Sequence, residues 1–278
     1  TAEYDVLLAC TQRAGAAGFD THVWQLARTL TDFGDRVGRW LDQAAVHRAA
    51  LASAIRLGDR KAQAYAGRGL GRAYSWLGRH EEARAELIRA EAVFAELDDW
   101  FGQANTNMSI SYSLVREKRW RDALGYAETA LRLYRSHDHQ AGEARALGSV
   151  GWVLANTGDH ADGLARCQEA LDLLETTGDV LATASVLHSV AYLHQCLDRP
   201  DEALAAYERA LALFREAGDR YNTGESLHRI GEVHARTDPS SARAAWQEAL
   251  AILAELDHPD ADEVRAKLAE LDRATASA

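Results

Sequence analysis

Histidines are the first residues here that could do chemistry. His188 and His228 stand 40 residues apart, and His194 and His234 repeat that interval. A metal ion could sit between two such columns. Within each helix, however, the histidines are six residues apart, whereas helical ligands lie side by side at i and i+4. With no cysteine or carboxylate seen to complete a set, no metal and no cofactor are expected. Histidines 188 and 228 are read as surface residues, and 194 and 234 as core residues. The three cysteines, Cys10, Cys167 and Cys196, follow neither a disulfide framework nor a zinc motif. They are read as packing residues in a reducing, cytoplasmic setting. There is no G-x-S-x-G nucleophile motif and no G-x4-G-K-[ST] phosphate loop. The chain is therefore read as non-enzymatic.

Composition narrows the class. The chain has 278 residues, 47% of them hydrophobic and 26% charged, with three prolines. That is a folded chain rich in helix formers. The net charge of −11 argues against a whole-surface affinity for nucleic acid. No apolar run approaches the roughly 18 residues that a membrane helix needs, and no leader is read at the start. Because the chain begins at Thr1, a piece of a longer protein is expected.

Behind these residues lies a repeat. Gly58, Asp98, Asp138, Gly178, Gly218 and Asp257 follow one another at steps of 40, 40, 40, 40 and 39. Each closes one helical pattern and opens another, as in LFREAGDRY (213–221). A glycine such as Gly218 can take the left-handed conformation that ends a helix, and Asp219 can cap the next. Within one period, Leu227, Ile230 and Val233 recur at helical spacing, and after a turn so do Ala242, Trp246, Ala249 and Leu253. Pro200 and Pro239 stand where a first helical position is expected. Each period is thus helix A, turn, helix B, turn, and such pairs bury their apolar faces by stacking.

Leu70, Gly71, Tyr74, Gly78, Ala83 and Ala90 show the spacing L-G-x2-Y-x3-G-x4-A-x6-A, with Val150, Gly151, Gly158, Gly163 and Ala170 at equivalent places. This pattern resembles the tetratricopeptide repeat, lengthened from its usual period of about 34 residues. The resemblance implies an all-α, right-handed superhelical solenoid of helix pairs with a C-terminal capping helix. Residues 1–18 would be a helix or linker from a preceding domain. Six repeats would fill 19–257, and 258–278 would form the capping helix, with Val264, Leu268 and Leu271 on its apolar side, and a tail. The first repeat departs from the pattern, since Gly34 to Gly58 spans four residues more than Gly78 to Asp98. The wording of RAYSWLGRHEEA, YERALALFREAGDRY and AWQEALAILAELDHPDADEVRAKLAEL resembles the terminal repeat region of large actinobacterial antibiotic-regulatory (SARP-type) proteins and of related signal-transduction ATPases.

The resemblance also assigns five inner, concave positions to each helix A. Of these thirty positions six are Arg, three are acidic and six are aromatic. The inner side is therefore expected to be basic and aromatic in an acidic chain. The residues expected to meet a partner are Arg68, Arg72, Trp76, Asn105, Tyr112, Arg116, Arg145, Trp152, Asn156, His188 and Tyr192. Arginine forks suit carboxylates, aromatic faces supply contact area, and an amide can both donate to and accept from a peptide backbone. The same aromatics could instead pack on the next repeat, and both readings stand at this point. The expected function is a non-catalytic interaction or sensor domain of a bacterial transcriptional regulator. Its partner would be a protein or peptide segment with acidic residues, or another domain of the same polypeptide, with no nucleic acid or membrane contact; oligomerisation is open. The alternative is a free-standing adaptor or peptide-sensing protein.

Overall fold

The structure, a computed structural model, describes the backbone of residues 2–235 and 237–276, and the side chains of these except at 2, 32, 35, 36, 275 and 276. Of the inner positions of the repeat, the side chain of Asp32 and the whole of Arg236 therefore lie outside what is described. Among the described residues there are fourteen α-helices and no strand. They are α1 (Ala2–Ala16), α2 (Asp20–Arg36), α3 (Trp40–Leu57), α4 (Arg60–Trp76), α5 (His80–Glu96), α6 (Trp100–Arg116), α7 (Trp120–Ser136), α8 (Gln140–Thr157), α9 (His160–Thr177), α10 (Val180–Cys196), α11 (Pro200–Ala217), α12 (Arg220–His234), α13 (Pro239–Glu255) and α14 (Asp260–Ala276).

The connections are short, and short connections between helices make antiparallel neighbours. The chain enters the left-handed region at 18, 38, 58, 78, 98, 118, 138, 158, 178, 198, 218 and 257. Eleven of these twelve stand at a strict interval of 20, half the 40-residue period. Glycine fills many of them; Asp98, Lys118, Asp138, Asp198 and Asp257 take positive φ without it. At the starts of α4, α6, α10 and α12 the caps follow the expected chemistry, whereas α3, α5, α7, α9 and α11 begin without a side-chain cap bond. Asp59, Asp99, Asp179 and Asp219 accept backbone N–H bonds from Ala62, Gly102, Ala182 and Asn222 at 2.9–3.0 Å. At α8 a histidine does this work, with His139 Nδ1 accepting from Gly142 N at 2.9 Å. Pro200 and Pro239 open α11 and α13.

The first repeat is not longer than the others. Gly38, at φ +73°, is its turn residue, and Gly38 to Gly58 is again 20 residues. Gly34 lies inside α2, where an added Cβ would stand 1.9 Å from Gln43 Nε2. Its lack of a side chain admits Gln43, whose amide donates to Tyr4 Oη at 2.8 Å and to the Leu30 carbonyl at 3.0 Å.

The chain divides into two compact units, with the division inside α8 after Ala146. In the first, α1 is packed rather than pendant: Tyr4 and Leu8 share a core with Val23, Ala27, Leu30, Val46 and Ala50. In the second, Ala261, Val264 and Leu271 of α14 join the core of α10 to α13. The small residues of the repeat mark close helix approaches. A Cβ on Gly71 would meet Leu87 Cγ at 2.6 Å, and one on Gly151 would meet Cys167 Sγ at 2.4 Å. Cys167 is buried, but Cys10 and Cys196 are exposed and not packing residues. Among the described residues no helix is long and apolar enough to cross a membrane.

Candidate functional site

In the first unit, Arg68, Arg72 and Trp76 follow one another four residues apart, which aligns them along one face of α4. Asn105, Tyr112 and Arg116 lie on α6, and Arg145 lies at the start of α8. The aromatics here both pack and present surface. Trp76 stacks on Trp40 of α3, with centroids 4.8 Å apart and planes 8° from parallel. The Arg116 guanidinium lies over the Trp76 ring at 3.2 Å. Arg28 lies over Tyr65 at 4.6 Å, and Arg68 lies 6.0 Å from the same ring. These are cation–π contacts, which also stiffen the arginine stems. Tyr112 is 51% exposed over the whole residue, yet burial of its hydroxyl pushes that group's pKa up, against the opposing charges of Arg145 and Arg72. Arg145 is exposed.

Behind this stripe lies His47, buried on α3 with Nε2 3.1 Å from Thr31 Oγ1. Burial, together with the positive charges of Arg72 and Arg68, pushes its pKa down to about 3. The imidazole therefore stays neutral while the arginines carry the local charge. The sequence held no sign of this: Gly69, whose Cβ would overlap the His47 ring at 2.3 Å, reads as one more small residue. Asn105 and Asn156 are each half-buried. Their amides donate to the carbonyls of Phe101 and Trp152, four residues back, at 2.8 and 2.9 Å.

The second unit presents a different surface. Trp152 of α8 meets Tyr192 of α10 with centroids 5.1 Å apart, and His188 at 5.9 Å. Arg229 of α12 lies over the Tyr192 ring at 5.4 Å. The histidine assignments invert. His188 and His228 are buried, at 9% and 2% exposure, while His194 and His234 are half-buried. His188 Nδ1 lies 3.0 Å from Ser226 Oγ, and its ring packs edge-on to Tyr207. Burial pushes its pKa down to about 4, so it offers a partner a neutral edge at most.

Charge in this unit is paired internally. Arg229 Nε donates to Glu225 Oε1 at 2.9 Å, and its NH1 donates to Glu232 Oε2 at 3.0 Å. Burial tends to raise the Glu225 pKa, but Arg229 and the neighbouring histidines outweigh it and hold it at about 2. The i, i+4 and i, i+3 spacing of Glu225, Arg229 and Glu232 is legible in GESLHRIGE. The ligand atoms of His228, Glu232 and Glu263 lie within 4.8 Å of one another, the one such histidine–carboxylate group among the described residues.

The chain belongs to the tetratricopeptide repeat family, whose profile matches residues 60–136, 142–216 and 182–255. Such repeats are protein-interaction modules, generally without catalysis of their own. Among curated proteins none matches by sequence. Among solved structures it is similar to the Rap conjugation gene regulator of the plasmid pLS20 in complex with the Phr* peptide (TM-score 0.72, 17% identity, 91% of this chain and 68% of that one). It is also similar to a Rap protein complexed with competence and sporulation factor (TM-score 0.67, 13% identity, 92% and 76%). A third is a signal transduction ATPase with numerous domains that carries a tetratricopeptide repeat sensor, from Pyrococcus horikoshii (TM-score 0.59, 18% identity, 90% of this chain and 41% of that one). At these identities the likeness is one of fold: all-α, repeat-built and solenoid-like.

Proposed function

We propose that the array receives an extended peptide or protein segment with acidic side chains along the A-helix faces of its first unit. The carrying observation is Tyr112, half exposed on α6 and within electrostatic reach of Arg72 on α4 and Arg145 on α8. Tyrosine and arginine are among the residues enriched where interface binding energy concentrates. Arg68, Arg116 and Trp76 extend the same chemistry along α4 and α6. By itself, the second unit offers Trp152, Tyr192, Asn156 and the neutral His188, a less charged surface on which Arg229 already neutralises Glu225 and Glu232. The bound peptide and factor of the two Rap structures support this mode of use.

In this reading α2 to α13 are six repeats, α14 is the cap, and α1 is the last helix of what precedes the array. The array serves as the sensor of a bacterial transcriptional regulator, a context supported by its likeness to the sensor of a signal transduction ATPase. The test uses fluorescein-labelled ten-residue peptides alternating Glu with Leu, and their Lys counterparts. The Glu peptides should bind, more weakly as salt rises. Arg72→Glu/Arg145→Glu should weaken them at least tenfold with the circular dichroism spectrum unchanged. Equal binding by the double variant, or preference for the Lys peptides, overturns the proposal.

A further inference from the structure

We propose that His228, Glu232 and Glu263 form a site for a divalent transition ion of the zinc type, clasping α14 to α12. His228 and Glu232 are i and i+4 on one helix face, the spacing at which two helical ligands converge. The third donor comes from the first turns of α14. Imidazole nitrogen with carboxylate oxygen is a donor set for zinc and its neighbours rather than for calcium or magnesium, which favour all-oxygen shells.

Three features give the cluster the character of a built site. First, His228 is 2% exposed, yet its Nε2 has no hydrogen-bond partner. A buried, unsatisfied ring nitrogen is costly, and this one stands 3.8 Å from Glu232 Oε1. A tetrahedral ion with bonds of about 2.0–2.1 Å holds its ligand atoms about 3.4 Å apart, close to that separation. Second, the outer contacts orient the donors. Glu232 Oε2 accepts from Arg229, which turns Oε1 toward His228. The other ring nitrogen, Nδ1, faces Glu225 Oε2 at 3.9 Å, the carboxylate–histidine arrangement that supports metal-bound imidazoles. Third, the helix is anchored at this point. Trp246 Nε1 donates to the His228 carbonyl at 3.0 Å, and Gly231 lets the indole approach.

Lys267 Nζ, 3.9 Å from Glu232 Oε1, is the resident counter-charge. Its side chain is 37% exposed and can swing into solvent when a doubly charged ion takes its place. A cleft of about 460 Å³, lined by Glu232, Lys267, Gln195 and Glu270 among others, opens beside the cluster. It gives solvent access to Glu232, one of the three donors.

The test titrates the whole chain with zinc chloride, with magnesium chloride as the hard-ion control. The imidazole ¹⁵N signals are followed by NMR, and binding by calorimetry. The expected result is one zinc per chain at this site, a selective shift of the His228 Nε2 signal, and no response to magnesium. Glu263→Gln lies on an exposed residue and leaves the fold intact; it should weaken zinc at least tenfold and abolish the His228 shift. Zinc should also slow hydrogen exchange in α14 of the wild type but not of Glu263→Gln. An unmoved His228 signal, equal zinc affinity in the variant, or equal response to magnesium overturns the proposal.

Discussion

Glu225 provides a quantitative check on the electrostatics of the second unit. Its carboxyl, ordinarily near 4.5, is held at about 2 in the folded chain. The group is 15% exposed and engaged by Arg229 Nε at 2.9 Å. A folded pKa below the unfolded one means that the unfolded chain binds the extra proton. The stabilisation is therefore complete above about pH 5 and lost as pH falls toward 2. At about 1.36 kcal/mol per pH unit, the gap is worth roughly 3 kcal/mol, of which about 2 is gone by pH 3. Glu225→Gln keeps the shape and removes the titration. Hydrogen exchange of α12, corrected for intrinsic rates, reads the local opening free energy that matters in a repeat array. Between pH 6 and pH 3 the wild type should lose about 2 kcal/mol more than Glu225→Gln, because every other carboxylate titrates in both. Identical losses would refute the claim that the Arg229 pair stabilises the ionised form.

Other expectations follow from packing and caps. Gly151→Ala places a Cβ 2.4 Å from Cys167 Sγ and 3.0 Å from the Gly163 carbonyl; overpacking should exceed the helix-propensity gain and cost about 1–2 kcal/mol in urea unfolding. Gly125→Ala, with nothing within 4 Å, should instead stabilise α7 by up to about 1 kcal/mol, and equal signs for the two would count against the close-approach reading. Asp219→Ala removes the bond from Asn222 N and should cost about 1 kcal/mol, visible as faster exchange at the start of α12. Iodoacetamide should label Cys10 and Cys196 but spare Cys167 until unfolding, because that thiol is buried and pushed up to about 12; prompt labelling of all three would contradict the packing of α9.

Much of the scaffold was legible because its signals are local. A left-handed residue followed by Asp says where one helix ends and the next begins, whatever surrounds it. Gly34 was misread for the same reason: glycine serves both turns and close approaches, and only the neighbouring Gln43 reveals which. Trp76 and Tyr112 were both legible as aromatics on helix A. That one stacks on Trp40 beneath Arg116 while the other stands half in solvent depends on the helices packed beside them.

The histidines show the limit most sharply. Their 40-residue spacing is written in the chain, but burial is a property of the neighbouring repeats. His188 sinks because Tyr207 and Ser226 close around it, and His228 because Trp246 covers its helix. The amino-acid order by itself determined the helices, their period and their caps, since those follow from backbone conformation and contacts a few residues apart. Only the tertiary structure decided which charges are neutralised, which rings stay exposed, and that Glu263 of the last helix meets His228. Those outcomes depend on distances between residues far apart in the chain, and these are set by helix packing.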